Sequence, residues 1–198
     1  MYPKNIRNLI ECFKSLPGIG EKSAERLVFS MLDFSEERLS LFSDSIISIK
    51  NNITKCPICN YICENGKCLI CDDNSRDSET IFVVEKLKDI ISFERMNVYK
   101  GMYHVLGGLI SPMDGKGPED LTINLLIERI KKDNIKEVVF ALKPNIEGET
   151  TMQYIKRLLD NYDVNVTKIA TGIPIGTDIE YIDPMTLEFA FEDRKRIT

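Results

Sequence analysis

Four cysteines stand at Cys56, Cys59, Cys68 and Cys71, in the spacing C-x2-C-x8-C-x2-C. Each C-x-x-C pair can fold as a tight knuckle that aims two thiolates at one point. Two such knuckles close a tetrahedron around Zn²⁺ at about 2.3 Å per Zn–S bond. Four sulfurs leave no vacancy for water, so the expected role is structural rather than catalytic. The stretch between the pairs has too few apolar residues to fold unaided, and metal binding would supply its folding free energy. The competing readings are a redox dithiol and chance. Thioredoxin-like chemistry needs a C-x-x-C at a strand-to-helix turn, and neither pair sits at one. Lys55 and Lys67 flank the set and could offset part of its formal −2 charge. Cys63 lies between the pairs and reads as a spectator or an alternative ligand, and Cys12, far away on a predicted helix, as a spectator.

A second chemical feature is "LPGIGEKSAERL". Gly18 and Gly20 form a tight turn directly before a helix, where glycine lets a backbone approach a phosphate closely. The first amides of that helix point outward at the positive end of its dipole. Lys22 and Arg26, four residues apart, share one helical face. This is a helix-hairpin-helix arrangement, which grips the DNA backbone without reading bases. The plain alternative is a helical connection with a Pro-Gly turn.

A third is acidic. Glu85 ends the predicted strand "TIFVVE", and Glu147 and Glu149 follow the strand "EVVFAL" in "KPNIEGE". Ligands of open parallel sheets bind outside the carboxyl ends of the strands. Three carboxylates meeting there could hold Mg²⁺ through oxygen. Equally, Glu149 could simply start a helix, where negative charge is favoured, and Lys143 could neutralise a glutamate in place of a metal. No nucleophile or base accompanies the carboxylates. His104, the sole histidine, sits in a predicted strand and reads as a packed or surface residue in preference to a catalytic one. "MDGKGPED" lacks Walker spacing, and Asp114 and Asp120 in it serve a turn and a helix start.

The elements that must position these groups follow from periodicity. Ile6, Leu9, Ile10, Phe13 and Leu16 recur at helical spacing, as do Ala24, Leu27, Val28, Met31 and Leu32. A third amphipathic run carries Leu39, Phe42, Ile46, Ile49 and Ile53. After the cysteines, "DDNSRDSE" reads as a linker. From residue 80, β-branched runs ("TIFVVE", "YHVLGG", "EVVFAL", "NVTKIA") alternate with helical ones ("KLKDIISFERM", "PEDLTINLLIERIKKD", "GETTMQYIKRLLDNY"). That pattern predicts a mostly parallel sheet covered on both faces. The tail from Gly172 has no clear period. The net charge of −5 argues against bulk electrostatic coating of nucleic acid, and residues 1–55, with 8 basic and 7 acidic side chains, are the least acidic part. No segment approaches a membrane span. The expected compartment is a reducing cytoplasm.

Taken in order, "LPGIGEKSAERL", "CPIC…CLIC", "IFVVE", "LGGLISPMDGKGPEDL", "NIEGE" and "GIPIGTDIEYIDPMTL" resemble the bacterial RecR family of recombination mediators over nearly the whole chain. The resemblance implies an α+β multidomain fold: a helix-hairpin-helix domain (1–54), a four-cysteine zinc finger (55–78), a Toprim α/β domain (79–172) and a C-terminal subunit-packing segment (173–198). It implies no enzymatic activity, and action with RecO, in some settings RecF, to load RecA onto SSB-coated single-stranded DNA. It implies dimers and tetramers that form rings around DNA, in a cytoplasmic, nucleoid-associated setting. Carried onto this chain, Gly18, Gly20, Lys22 and Arg26 become the DNA-contacting positions and Cys56, Cys59, Cys68 and Cys71 the zinc ligands. Glu85, Glu147 and Glu149 become the acidic Toprim positions that bear on RecO and DNA. The chain departs from the pattern at Lys143, where the family has Asn, at Gly176-Thr177 for Gly-Gly, and at Asp193-Arg194 for Gly-Arg. The lysine argues against Mg²⁺. The alternative is a Mg²⁺-dependent Toprim nucleic-acid enzyme, primase- or nuclease-like, which the lack of an Asp-x-Asp pair after "EVVFAL" disfavours. A purely architectural zinc protein is the third reading.

Overall fold

The computed structural model describes residues 2–194 and Arg196. Met1, Lys195, Ile197 and Thr198, at the ends of the expected first and last segments, lie outside them. The chain divides into two compact units, one ending at Ile53 and the other beginning at Thr54.

The first unit is helical: α1 (Lys4–Lys14), α2 (Glu21–Met31) and α3 (Glu36–Asn52). Ile10, Ala24 and Val28 are buried against one another, with Ile6, Leu9, Phe13 and Ile19 around them. The apolar spacing that predicts α1 and α2 is therefore the spacing that packs them. α3 differs. Ser35 caps it by accepting from the Arg38 amide, yet no residue of it is buried, and Ile46 and Ile49 are 57% and 66% exposed. Its amphipathic pattern is not buried within the first unit, and Ile53 begins a strand instead.

The second unit opens with a small sheet of β1 (Ile53–Lys55), β2 (Ile62–Glu64) and β3 (Lys67–Cys68). A four-stranded sheet follows, built from β4 (Asp77–Val84), β5 (Gly101–Val105), β6 (Glu137–Ala141) and β7 (Asn165–Lys168). Its order is β5-β4-β6-β7, and every pairing is parallel. Between the strands run α4 (Leu87–Met96), α5 (Ile123–Lys132) and α6 (Ile146–Leu159).

Successive residues of β4 face opposite sides, as the pleat requires. Ile81 and Val83 join Ile123, Leu126 and Ile130 of α5 and Ile155 and Leu159 of α6 in one core. Phe82 and Val84 belong to the other, with Ile90 of α4, Tyr103, Val105 and the cysteines. The cysteine knuckle thus shares with α4 the task of covering one sheet face. Three expectations are corrected here. "DDNSRDSE" is no free linker: Arg76 within it donates to Glu94 at 2.6 Å and to the Gly101 carbonyl at 3.2 Å, and β4 has begun by Asp77. The helix expected from Pro118 begins at Ile123, after a short 3-10 turn at Pro118–Asp120. The aperiodic tail does contain a helix, α7 (Pro184–Glu192), capped by Asp183, with no buried residue.

Candidate metal centre and flanking surfaces

The four cysteine sulfurs lie within 4.8 Å of one another. Cys59 and Cys68 are 3.6 Å apart and Cys56 and Cys71 3.9 Å. A tetrahedron with Zn–S bonds of about 2.3 Å has edges of about 3.8 Å, so the thiols fit a four-coordinate thiophilic ion. Local backbone geometry makes this possible. The Ile58 and Cys71 amides point at the Cys56 and Cys68 sulfurs at 3.4 and 3.5 Å, the donors that knuckles turn toward thiolates. Hydrogen bonding from Cys59, aided by the Arg129 guanidinium, pulls Cys71 down to about 6. The hydrogen bond to Cys71, with burial, drives Cys59 strongly up. Four neighbouring thiols cannot all ionise without a cation between them.

The countercharge is a residue that sequence spacing did not single out. Arg129, in the last turn of α5, is 6% exposed; its guanidinium donates to the Tyr103 carbonyl at 2.9 Å, and its charge is one of the influences that lower Cys71. Asp133 stands 3.6 Å from its Nε, an ion pair too long to be a hydrogen bond. The only sequence signal was a cation on the core-facing side of an amphipathic helix. Lys55 and Lys67, the expected neutralisers, are both exposed.

The first knuckle also closes the sheet edge. The Val105 amide donates to the Cys59 carbonyl at 2.9 Å, and the Asn60 amide group donates to the Val105 carbonyl at 2.8 Å. Asn60 has φ 58°, a left-handed conformation Asn tolerates. An edge strand that would otherwise offer open backbone groups is covered.

The acidic positions do not form a comparable set. Among the described residues, the cysteines are the only group of three or more potential ligands that converge. Glu85 and Lys143 do flank one cavity of about 340 Å³, at the carboxyl ends of the adjacent strands β4 and β6, where the strand order reverses. Glu85, however, pairs with Lys86 at 2.9 Å, and Glu149 with Lys168 at 3.2 Å. Glu147 Oε1 lies 2.6 Å from the Ser111 hydroxyl, whose single proton it shares with Asp114 at 2.9 Å. The expectation that three carboxylates meet is thereby corrected, and so is the neutraliser: Lys86 and Lys168 take that part, not Lys143. The first turn of α6 is set by Asn145, which accepts from the Gly148 amide at 2.9 Å. Gly148 is obligatory, because a Cβ there would run into the Lys143 carbonyl oxygen.

His104 is fully buried, its Nε2 3.0 Å from both the carbonyl and the hydroxyl of Thr122. Burial lowers its pKa to about 4, so it is neutral and packed. Asp120 accepts from the Gly117 amide at 2.9 Å and so closes the short 3-10 turn; the helix start expected of it is corrected, because α5 begins only at Ile123.

In the helical unit, Gly18 has φ +82° and Gly20 is the N-cap of α2. Only Gly18 needs glycine for its backbone angle. Lys22 and Arg26 lie exposed on α2, away from the buried Ala24 and Val28.

Comparison with known proteins agrees with this geometry. A "RecR, helix-hairpin-helix" family model matches residues 6–49, a "Toprim domain" model 79–170, and a "RecR, C-terminal" model 172–195. The chain is 48% identical over 193 residues to Recombination protein RecR of Staphylococcus aureus strain JH9, covering 98% of both chains. The same figures hold for strains Newman and COL. With hairpin, Toprim sheet and C-terminal segment in that order, and relatives of this identity along its whole length, the chain belongs to the RecR family.

Proposed function

We propose that the protein is a non-catalytic mediator of recombinational DNA repair that binds DNA through the sugar-phosphate backbone and acts with RecO, and in some settings RecF, to load RecA onto SSB-coated single strands. The observation that carries the DNA-binding part is the exposed turn of Gly18 and Gly20 followed by Lys22 and Arg26 on α2. Two cations per chain make few salt-sensitive phosphate contacts. A ring of subunits multiplies them into useful avidity. The apolar residues exposed on α3, and those of α7 such as Met185 and Phe191, support a homodimer or homotetramer as its form. The domain limits are those expected from the sequence: 1–54, 55–78, 79–172 and 173–198.

In this reading Cys56, Cys59, Cys68 and Cys71 hold Zn²⁺, which supplies folding free energy and no chemistry. Glu85, Glu147 and Glu149 form the edge that bears on RecO and DNA, without Mg²⁺. Their existing lysine and hydroxyl partners support that assignment over a magnesium-dependent enzyme. The setting is cytoplasmic; no helix among the described residues is long and apolar enough to cross a membrane.

The test is fluorescence anisotropy of labelled single-stranded and duplex oligonucleotides across a salt series. Lys22→Ala and Arg26→Ala should each weaken binding to every sequence alike and reduce the slope of log K on log salt by about 1. Unchanged binding by the folded double variant would refute the hairpin assignment. Mg²⁺-dependent cleavage or synthesis abolished by Glu85→Ala would establish the enzyme instead.

A further inference from the structure

Cys63 is the fifth thiol of the knuckle region and the one the metal set leaves out. It sits on β2, directly across from Cys68 on β3, one step from the Glu64–Lys67 pair that closes the hairpin. The turn between them is Asn65-Gly66, with φ 51° and 77°. Two left-handed residues make the two-residue turn whose flanking pair is hydrogen-bonded. The next pair out, Cys63 and Cys68, is then a non-hydrogen-bonded pair, with Cα atoms about 4.5 Å apart and side chains on one face. An independent contact agrees: the Cys68 amide points out of the ladder, donating to Asp72 Oδ2 at 2.8 Å. A disulfide spans Cα separations of about 4.4–6.8 Å, so no backbone movement is needed to join this pair. Both residues are 2% exposed, and the Cys63 thiol lies beside the sulfurs of Cys56 and Cys68.

Building on the reading of the four cysteines as a metal set, we infer that Cys63 and Cys68 form an oxidative modification site: a peroxide-class oxidant joins them in a cross-strand disulfide that withdraws Cys68 from the metal. The Cys68 thiolate attacks a peroxide oxygen, the O–O bond breaks, and Cys68 becomes a sulfenic acid as hydroxide leaves and takes a proton from solvent to become water. Cys63 sulfur then attacks Cys68 sulfur. The S–S bond forms, the S–O bond breaks, and the oxygen leaves as a second water carrying the Cys63 proton. Two thiols have been oxidised by two electrons and one peroxide reduced. Cys63 resolves the sulfenic acid because Cys56, Cys59 and Cys71 are committed to the ion. Three remaining ligands no longer close the site, and the ion leaves. The Cys59 knuckle that covers the β5 edge through Val105 loses its anchor in the same event.

The experiment exposes the zinc-loaded full chain to hydrogen peroxide. Zinc release to a chromogenic chelator, intact mass and disulfide mapping of peptides are read together. The expected result is a mass lower by two hydrogens, a Cys63–Cys68 bridge, and zinc released with it, all reversed by a thiol reductant and added zinc. Zinc-loaded Cys63→Ala and Cys63→Ser should release the ion about tenfold more slowly. Release from both variants at the wild-type rate, or a mapped bridge between two of the four ligands with Cys63 still free, overturns the proposal. If the purified protein carries no metal, the metal reading has failed. Mapping on the reduced apoprotein then decides alone: a Cys63–Cys68 bridge supports the pair, and any other bridge overturns it.

Discussion

The sulfur cluster and the carboxylate edge of the second unit are both collections of potential metal ligands, and they are built in opposite ways. The cysteines are drawn within 4.8 Å of one another, three of the four are buried, and the charge of Arg129 helps lower Cys71. The glutamates are spread along two loop ends, and each already has a partner: Lys86, Ser111 or Lys168. Buried thiols without a cation cost free energy that only metal or protonation can relieve. Carboxylates with solvent and lysine nearby carry no such penalty, since exposed ion pairs contribute about 0–1 kcal/mol each. Convergence under burial, more than ligand type, separates a group that could hold an ion from charged side chains already paired at the surface.

That contrast can be broken most forcefully at the sulfurs. Cys59→Ala, or removal of metal by a strong chelator, should abolish the cooperative melting of the second unit, because apparent free energies of structural zinc are about 10 kcal/mol or more. Scanning calorimetry with metal analysis checks this; an unchanged melt would end the structural-metal reading. Acid acts in the same sense: ligand thiolates become protonated as pH falls, so metal retention is held at neutral pH and lost on acidification.

The carboxylate edge should respond to backbone geometry far more than to charge. Gly148→Ala forces a Cβ against the Lys143 carbonyl oxygen and should cost about 3 kcal/mol by denaturant titration. Glu149→Gln, which removes only a surface pair, should fall within about 0.5 kcal/mol of the parent. A reversed ranking would mean that charge at the edge supports the fold.

A probe that links the sulfur region to the core is Arg129→Gln. It loses a charge-assisted hydrogen bond to Tyr103, worth about 2 kcal/mol. It also removes the cation near Cys71, so zinc affinity measured by chelator competition should fall roughly tenfold. Reduced stability with unaltered affinity would confine Arg129 to packing.

Much of this was legible in the chain because the relevant signals are local. C-x-x-C spacing dictates which sulfurs can share an ion. A Gly-x-Gly turn before a helix dictates where amides and cations point. Alternating β-branched and helical runs dictate a covered parallel sheet. The amphipathic spacing of α3 was equally legible, but whether such a face is buried depends on what lies against it, and no residue of α3 is buried. The tail helix α7 carries apolar residues with no clear helical period, and it too has no buried residue.

Order along the chain was therefore enough to specify most element types of the sheet and of α1 and α2, the thiol set and membership in the RecR family. It was not enough for anything that depends on distance between segments far apart in sequence. The bond of Arg129 to Tyr103, the docking of Cys59 on Val105 and the separate partners of the three glutamates exist only after β4, β5 and β6 have aligned. Coulombic and hydrogen-bonding energies fall off over a few ångströms, and spacing in sequence carries no such ruler once strands have crossed over one another.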